Sequence, residues 1–571
     1  MALNQSYYRN VNPDLLDRIP LNAKTVVEVG CGSGALGSAY KLRNPQVHYI
    51  GVEAMAEPAA DASKVLDQVI VGNAEDPLLF GDNVQDVDCL VYGDVLEHLV
   101  NPWDCLRRHL QLLSEDGLVV ACIPNAQHWS AIANLLQGYW PLEDQGLFDR
   151  THLRWFTKAT IVAGMQQLGL TIHELKPRIF KPDQTRAFLQ KLAPALDNLG
   201  LDQQAVLNGI APLQYVISAG FKPIQRLHLD GFSQINPPSM GEVRLRQPMQ
   251  ALASLSGSSC RYATDSVVLR SDPDLYKIFV WQRPVFTDLE RDFKRIQALI
   301  RSGYIVIVDW DDDPRHWTDL QLEIQLTFRS VHAVQVTTPE LAELIKPFNP
   351  EVGVFPNALL SLPPIRSDRL GGDGLRLFFG ALNREKDWAP LIDELNAELR
   401  DAPEFWSFSV VHDQRFYDAL DLPPSRKSFV PTCGYERYQA EMAQCDVAFL
   451  PLSNTPFNQM KSNLKAIEAG GHGLALLASN VLYERSLVAG VTAELFSDSA
   501  QLRRHLQAWR QQPDLAHQLG KRARQWVASE CLAAHQVARR DAWYRDLASR
   551  RDQLNKDLFQ RAPELAATAA D

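Results

Sequence analysis

The segment Glu28-Val-Gly30-Cys-Gly32-Ser-Gly34 constrains the fold most, because it joins an apolar run, TVVEVG (25–30), to a helical pattern. Closely spaced glycines allow a sharp strand-to-helix turn and let a ligand approach backbone that a Cβ would shield. The surrounding pattern is an alternation of short apolar runs with helical stretches, which predicts an α/β fold with a doubly wound parallel sheet. The predicted strands are 25–30, 47–53, 68–73, 87–94 and 117–124, followed by a late pair at 170–176 and 213–221. A helical stretch over 184–209 separates that pair. Five strands and a late pair make a seven-stranded Rossmann-like sheet, not the six parallel strands of a dinucleotide-binding fold.

The alternation then starts again. FSQINPPSMG (232–241) holds the Pro, Ser and Gly of a connecting stretch, so a linker is expected over 224–241. Strands are predicted at 276–282, 304–310 and 333–338 in a lobe spanning 242–358. After a Gly-rich turn, RLGGDG (369–374), they recur at 375–382, 405–412, 446–453 and 474–479 in a second lobe spanning 359–545. A helical, Arg-rich tail covers 546–571, leaving 1–223 as the first domain.

A net charge of −11 argues against a nucleic-acid partner, since phosphate backbones require a concentrated cationic surface. The eight cysteines form no CxxC pair and no His cluster at metal spacing, the pattern of reduced thiols, and no metal is expected. The first residues lack the basic-then-apolar order of a signal peptide, and no run reaches the roughly 18 apolar residues of a membrane span. The expectation is a cytoplasmic chain, with peripheral contact at the inner face of the membrane open to the Arg-bearing C-terminal helix.

The glycine loop also reads as Gly30-x-Gly32-x-x-Ala35, so a nicotinamide cofactor fits it as well as S-adenosylmethionine does. Glu53, closing the second strand, can accept hydrogen bonds from the ribose hydroxyls of either. Further along, GNAED (72–76), GDVLEHLVNPW (93–103), IPNAQHW (123–129) and DRTHLRWFT (149–157) occur in order. This series resembles the class I methyltransferases of the ubiquinone-methylase-like group. The resemblance implies that Glu28, Gly30, Gly32 and Gly34 hold the methionine end of S-adenosylmethionine and Glu53 its ribose. It implies also that Asn73 and Ala74 border the adenine, that Asp94 lies near the sulfonium, and that Tyr7 and Tyr8 close over the cofactor. An oxygen acceptor needs a base, and of His98, His128 and His152 the choice falls on His152.

Three later segments, GEVRLRQPMQAL (241–252), VHAVQVTTPELAELIKPFNPEVGVFPNAL (331–359) and CDVAFLPLSNTPFNQMKSNLKAIEAGGHGLALLAS (445–479), resemble the GT-B glycosyltransferases. The likeness implies a two-lobed, double Rossmann-like unit with an acceptor lobe first and a nucleotide-sugar lobe second. With Ser462 capping a helix, amides there would face a diphosphate, with Lys461 just outside. Lys465 and Glu468 lie three apart on one helical face. Glu468 matches the family glutamate that bonds the donor ribose, and Arg384 and Lys386 fall where relatives place cations against the phosphates. Met460 departs from the family pattern, standing where many retaining members carry a second Glu.

DWDDD (309–313) admits three readings: an Asp-x-Asp metal motif, a solvated or helix-capping acidic turn, or Asp309 and Asp311 both facing the interlobe cleft, where one of them, Asp311, orients an acceptor hydroxyl. The third is preferred. Together the resemblances imply a bifunctional methyltransferase and glycosyltransferase of bacterial surface glycan or glycoconjugate assembly, using a UDP- or GDP-sugar. The acceptor, whether glycan, lipid-linked or protein, is left open. The alternative is an active methyltransferase carrying a degenerate glycosyltransferase-like scaffold.

Overall fold

The computed structural model describes residues 10–81, 84–234, 239–365 and 374–567. Tyr7, Tyr8 and the turn at 369–373 lie outside the described residues. The chain divides into two compact units, one of residues up to Gln225 together with Ala253–Ser258, the other of Arg226–Leu252 and everything from Ser259.

The first unit is built on seven strands: β1 (Thr25–Val29), β2 (His48–Glu53), β3 (Gln68–Val71), β4 (Val87–Gly93), β5 (Leu113–Pro124), β6 (Thr171–Arg178) and β7 (Gln214–Gly220). They order as β3-β2-β1-β4-β5-β7-β6, with β7 antiparallel to both neighbours. Central strands of such a sheet are covered on both faces, which is why Val26, Val27, Leu90, Val91, Val119 and Val120 are all wholly buried. Each such side chain contributes about 1.5–3 kcal/mol by leaving water. Strand order reverses between β1 and β4. The loops leaving their carboxyl ends therefore part on opposite faces and open a crevice there.

The second unit carries two six-stranded sheets. The first is β8 (Leu227–Phe232), β9 (Ser258–Ala263), β10 (Tyr276–Gln282), β11 (Tyr304–Trp310), β12 (Ala333–Val336) and β13 (Val352–Val354), ordered β13-β12-β11-β10-β8-β9. The second is β14 (Leu375–Gly380), β15 (Trp406–Val411), β16 (Lys427–Val430), β17 (Val447–Leu450), β18 (Ala475–Ser479) and β19 (Glu494–Phe496), ordered β16-β15-β14-β17-β18-β19 and parallel throughout. In this sheet the reversal falls between β14 and β17.

The expected linker over 224–241 is corrected. Leu227–Phe232 is a fully buried strand paired in parallel with β10, and it opens the second unit. Its HLDG stretch reads as polar, but Asp230 is buried because Arg261, Tyr304 and His228 satisfy its carboxylate. The Arg-rich C-terminal stretch packs as a helix on the first lobe. Leu558, Ala562 and Leu565 enter the same apolar cluster as Phe293, Val306 and Phe328 of the first lobe. Apolar residues at one face of the helix Arg551–Arg561 gain more from that cover than from solvent. Among the described residues no helix is long and apolar enough to cross a membrane.

Candidate active sites

In the first unit the crevice is lined from its glycines upward. Gly30, Gly32 and Gly34 all take positive φ, and an added Cβ at Gly30 would lie 2.5 Å from Val95 Cγ2. Glu53 ends β2 beside this loop, accepting from the Gly32 amide at 2.9 Å and from the Met55 amide at 2.9 Å. Asp94, after β4, has φ +53° and accepts from Gln214 Nε2 at 2.5 Å. Burial raises its carboxyl to about 6. The loops after β1, β2 and β4 thus bring Gly30, Gly32, Gly34, Glu53 and Asp94 to one edge of the sheet.

Asn73 is exposed and accepts from the Glu75 amide at 3.0 Å, while Ala74 is buried and its carbonyl faces His109 Nε2 at 3.1 Å. Glu28 differs from its expected place. Its carboxylate is buried and turned to the Tyr49 hydroxyl at 3.0 Å, with the Gly37 amide as a second donor. It braces the loop from beneath because it sits one residue inside the strand, where alternation points it into the sheet's packed face. Burial pushes its carboxyl up to about 8.

His128 caps the helix Trp129–Leu136 and is a local structural group. His152 sits instead against the Glu97-His98 turn. The amides of Leu153 and Arg154 both donate to the Glu97 carbonyl, at 2.8 and 2.9 Å, which fixes the 149–157 loop there. Burial holds the His152 imidazole below its ordinary pKa.

In the second unit a cavity of about 240 Å³ opens between its two lobes. Its walls come from the loops after β14 and β17, at the strand-order reversal, and from the loop after β11. The helix Leu464–Gly471 contributes Lys465 and Glu468, one turn apart. Lys465 Nζ donates to the Gly380 carbonyl, and burial lowers its pKa to about 8. Glu468 is pushed up to about 7, again by burial, with Lys465 opposing, and it accepts from Gln439 Nε2 at 2.9 Å and from the Tyr435 hydroxyl. Arg384 donates to Asn458 Oδ1 at 2.9 Å and pairs with Asp387 at 3.1 Å. Lys461 Nζ reaches Asp312 Oδ1 of the other lobe at 2.8 Å.

Asp311 lines the same cavity. It is buried, its Oδ1 lacks a hydrogen-bond partner, and Arg283 Nε approaches at 3.3 Å. Burial raises its carboxyl to about 6. Asp309 does not share this position: it is fully buried in an ion pair with Arg244 and accepts from Gln335 at 2.8 Å. The two part because β11 ends at Trp310: Asp309 is held within the strand, and Asp311 lies beyond its end in the loop.

Two further expectations are adjusted. Lys386 is exposed and does not line the cavity; its helical turn, Glu385–Trp388, aims the side chain outward. Ser462 is not the cap of the helix Leu464–Gly471, whose N-cap is Asn463 without a side-chain bond; Ser462 Oγ accepts from Asn357 Nδ2 at 2.8 Å. Met460 packs against the first lobe's apolar cluster, so a carboxylate there would lose its water. Tyr435, Tyr438 and His412 also line the cavity. Their part was hidden because strand-end loops and the helix Tyr435–Ala443 carry them from separate stretches of sequence. His412 has φ +80° and stacks on Tyr438 with centroids 5.7 Å apart, an outlier visible only in three dimensions.

A methyltransferase-domain family model matches residues 5–175, and a "Glycosyl transferase-like" model matches 386–540. Among curated proteins nothing matches the chain. Among solved structures, sucrose-phosphate synthase from Thermosynechococcus elongatus is similar at 16% identity and TM-score 0.42, over 57% of this chain and 100% of that one. The Anabaena protein HepE in complex with UDP-glucose is similar at 13% identity and TM-score 0.40, over 56% and 99%. A SAM-dependent methyltransferase from Archaeoglobus fulgidus is similar at 16% identity and TM-score 0.27, over 38% and 96%. The assignment rests on the two models and not on these distant likenesses: the chain carries a methyltransferase domain over 5–175 and a glycosyl transferase-like domain over 386–540.

Proposed function

We propose that the first domain transfers a methyl group from S-adenosylmethionine and that the second transfers a sugar from a UDP- or GDP-sugar, both in the cytoplasm, on a bacterial surface glycan or its precursor. The observation that carries the reading is the convergence of Arg384, Lys461, Lys465, Glu468 and Asp311 on one interlobe cavity. Three cations there suit a leaving nucleoside diphosphate, whose charge grows as the sugar's anomeric C–O bond breaks. Glu468 is positioned for ribose hydroxyls. Asp311, whose Oδ1 is ion-paired with Arg283 and takes no hydrogen bond, would take the proton of the acceptor hydroxyl. In the methyltransferase domain the glycine loop and Glu53 would hold the cofactor, Asn73 and Ala74 would border its adenine, and Asp94 would lie near its sulfonium.

A second reading keeps the methyltransferase active and makes the other domain a binding scaffold. It is favoured by Met460 in place of a carboxylate and by Lys461 being engaged with Asp312. Incubation of the protein with cell-envelope acceptors, methyl-labelled S-adenosylmethionine and sugar-labelled UDP- and GDP-sugars separates the two. Both labels in one glycan product are expected. Methyl label alone would establish the scaffold reading, and methyl label confined to protein or lipid would overturn the glycan assignment.

A further inference from the structure

Glu97 and His98, in the turn after β4, meet His152 of the 149–157 loop. One side-chain ligand atom from each lies within 4.8 Å of the other two. Glu97 is 1% exposed, yet neither of its carboxylate oxygens has a hydrogen-bond partner. A buried carboxylate without donors is costly unless a charge compensates it. Its Oε1 is 3.9 Å from His152 Nε2, too far for a hydrogen bond and suited to a shared third party.

Both imidazoles are oriented as ligands are. His152 Nδ1 lies 3.1 Å from the Leu147 carbonyl, to which it can only donate, so Nε2 keeps its lone pair facing Glu97. His98 Nδ1 lies 3.3 Å from the Thr151 carbonyl and 3.0 Å from Thr151 Oγ1, and that hydroxyl in turn donates to Asp149 Oδ1 at 2.6 Å. His98 Nε2 is thereby left as its acceptor atom. Ring N–H groups tied to backbone carbonyls and a carboxylate-backed hydroxyl are the usual outer support of metal-bound histidines.

We propose that Glu97, His98 and His152 bind a zinc-class divalent cation with at least one position open to the methyl acceptor. Two imidazoles, one carboxylate and an open position form a familiar donor set for such an ion. Its chemistry in this domain rests on the methyltransferase reading; the metal site itself does not. An acceptor hydroxyl at the open position has its pKa lowered and loses its proton to water. Its oxygen then bonds the methyl carbon as the S–CH₃ bond breaks, and sulfur keeps the electron pair as a neutral thioether. His152 is in this account a ligand and not the proton acceptor. Glu97-His98 and His152 lie more than fifty residues apart in the chain, so no metal spacing is visible in the sequence.

The test uses the full chain, stripped with a chelator and desalted, then titrated with Co²⁺ as a spectroscopic stand-in for Zn²⁺. Visible d–d bands saturating at one Co²⁺ per chain, bleached by added Zn²⁺, are expected. Glu97→Gln and His152→Ala should each weaken Co²⁺ binding at least tenfold while retaining S-adenosylhomocysteine binding. If Glu97→Gln loses the homocysteine ligand and so has lost its fold, His98→Ala takes its place. Absence of bands, or bands unchanged in folded variants, would overturn the metal site. Site-dependent Co²⁺ binding in a wild type that binds no S-adenosylhomocysteine would instead leave the metal site standing and remove the methyltransferase reading.

Discussion

Three carboxyls, Glu28, Asp94 and Asp311, are held above their ordinary range by one dominant cause, removal from water, yet they do different work. Glu28 is bonded to Tyr49 and supports the glycine loop. Its folded pKa of about 8 exceeds its ordinary value of 4.5. The stability it gives is therefore present below pH 4.5 and is lost as pH rises toward 8. Glu28→Gln keeps an acceptor for Tyr49 and removes that loss. Its melting temperature should match wild type near pH 4 and exceed it at pH 7, by about 1–3 kcal/mol of stability. An equal difference at both pH values would show that ionisation of Glu28 is not the cause. Asp311 carries the opposite consequence for activity, because a base must be deprotonated. Sugar transfer should fall as pH drops through about 6. Asp311→Asn should reduce turnover by about 10²–10⁴-fold while UDP or GDP binding stays within a few-fold. A variant with near-normal turnover would assign the proton to another group.

At the scale of elements, the glycine loop is the feature most exposed to a single substitution. Gly30→Ala combines a positive φ, costing about 1–2 kcal/mol for a residue with a side chain, with a Cβ placed 2.5 Å from Val95 Cγ2. S-adenosylhomocysteine affinity should fall at least tenfold in calorimetry, with nucleotide affinity in the second unit unchanged. Retained cofactor affinity would mean that the loop tolerates the shift. The same loop was legible in the sequence, since closely spaced glycines directly after an apolar run mark a tight strand-to-helix turn. So were the long buried strands: Tyr276–Gln282 and Tyr304–Trp310 are predominantly apolar runs covered on both faces. β8 was not legible, because His228 and Asp230 break its run and only their partners, Ser259, Arg261 and Tyr304, permit burial. β13 and β19 are three residues each, too short for a period to register. Of the sites, the Lys465–Glu468 face followed from helical spacing, whereas Lys386, close to Arg384 in the chain, shares its charge but not its direction.

At the scale of the whole molecule, each unit places its candidate site where its own strand order reverses, and each site is assembled from loops that the sheet holds apart. The two sites draw on disjoint sets of residues, so each should titrate by itself. Calorimetric titration of the wild-type chain, Glu53→Ala and Glu468→Ala with S-adenosylhomocysteine, UDP and GDP measures this directly. One S-adenosylhomocysteine site should be lost in Glu53→Ala alone and one nucleotide site in Glu468→Ala alone, with UDP or GDP clearly preferred. A wild-type chain that binds S-adenosylhomocysteine but neither nucleotide would contradict it, leaving a methyltransferase joined to a domain that holds something other than a nucleotide sugar.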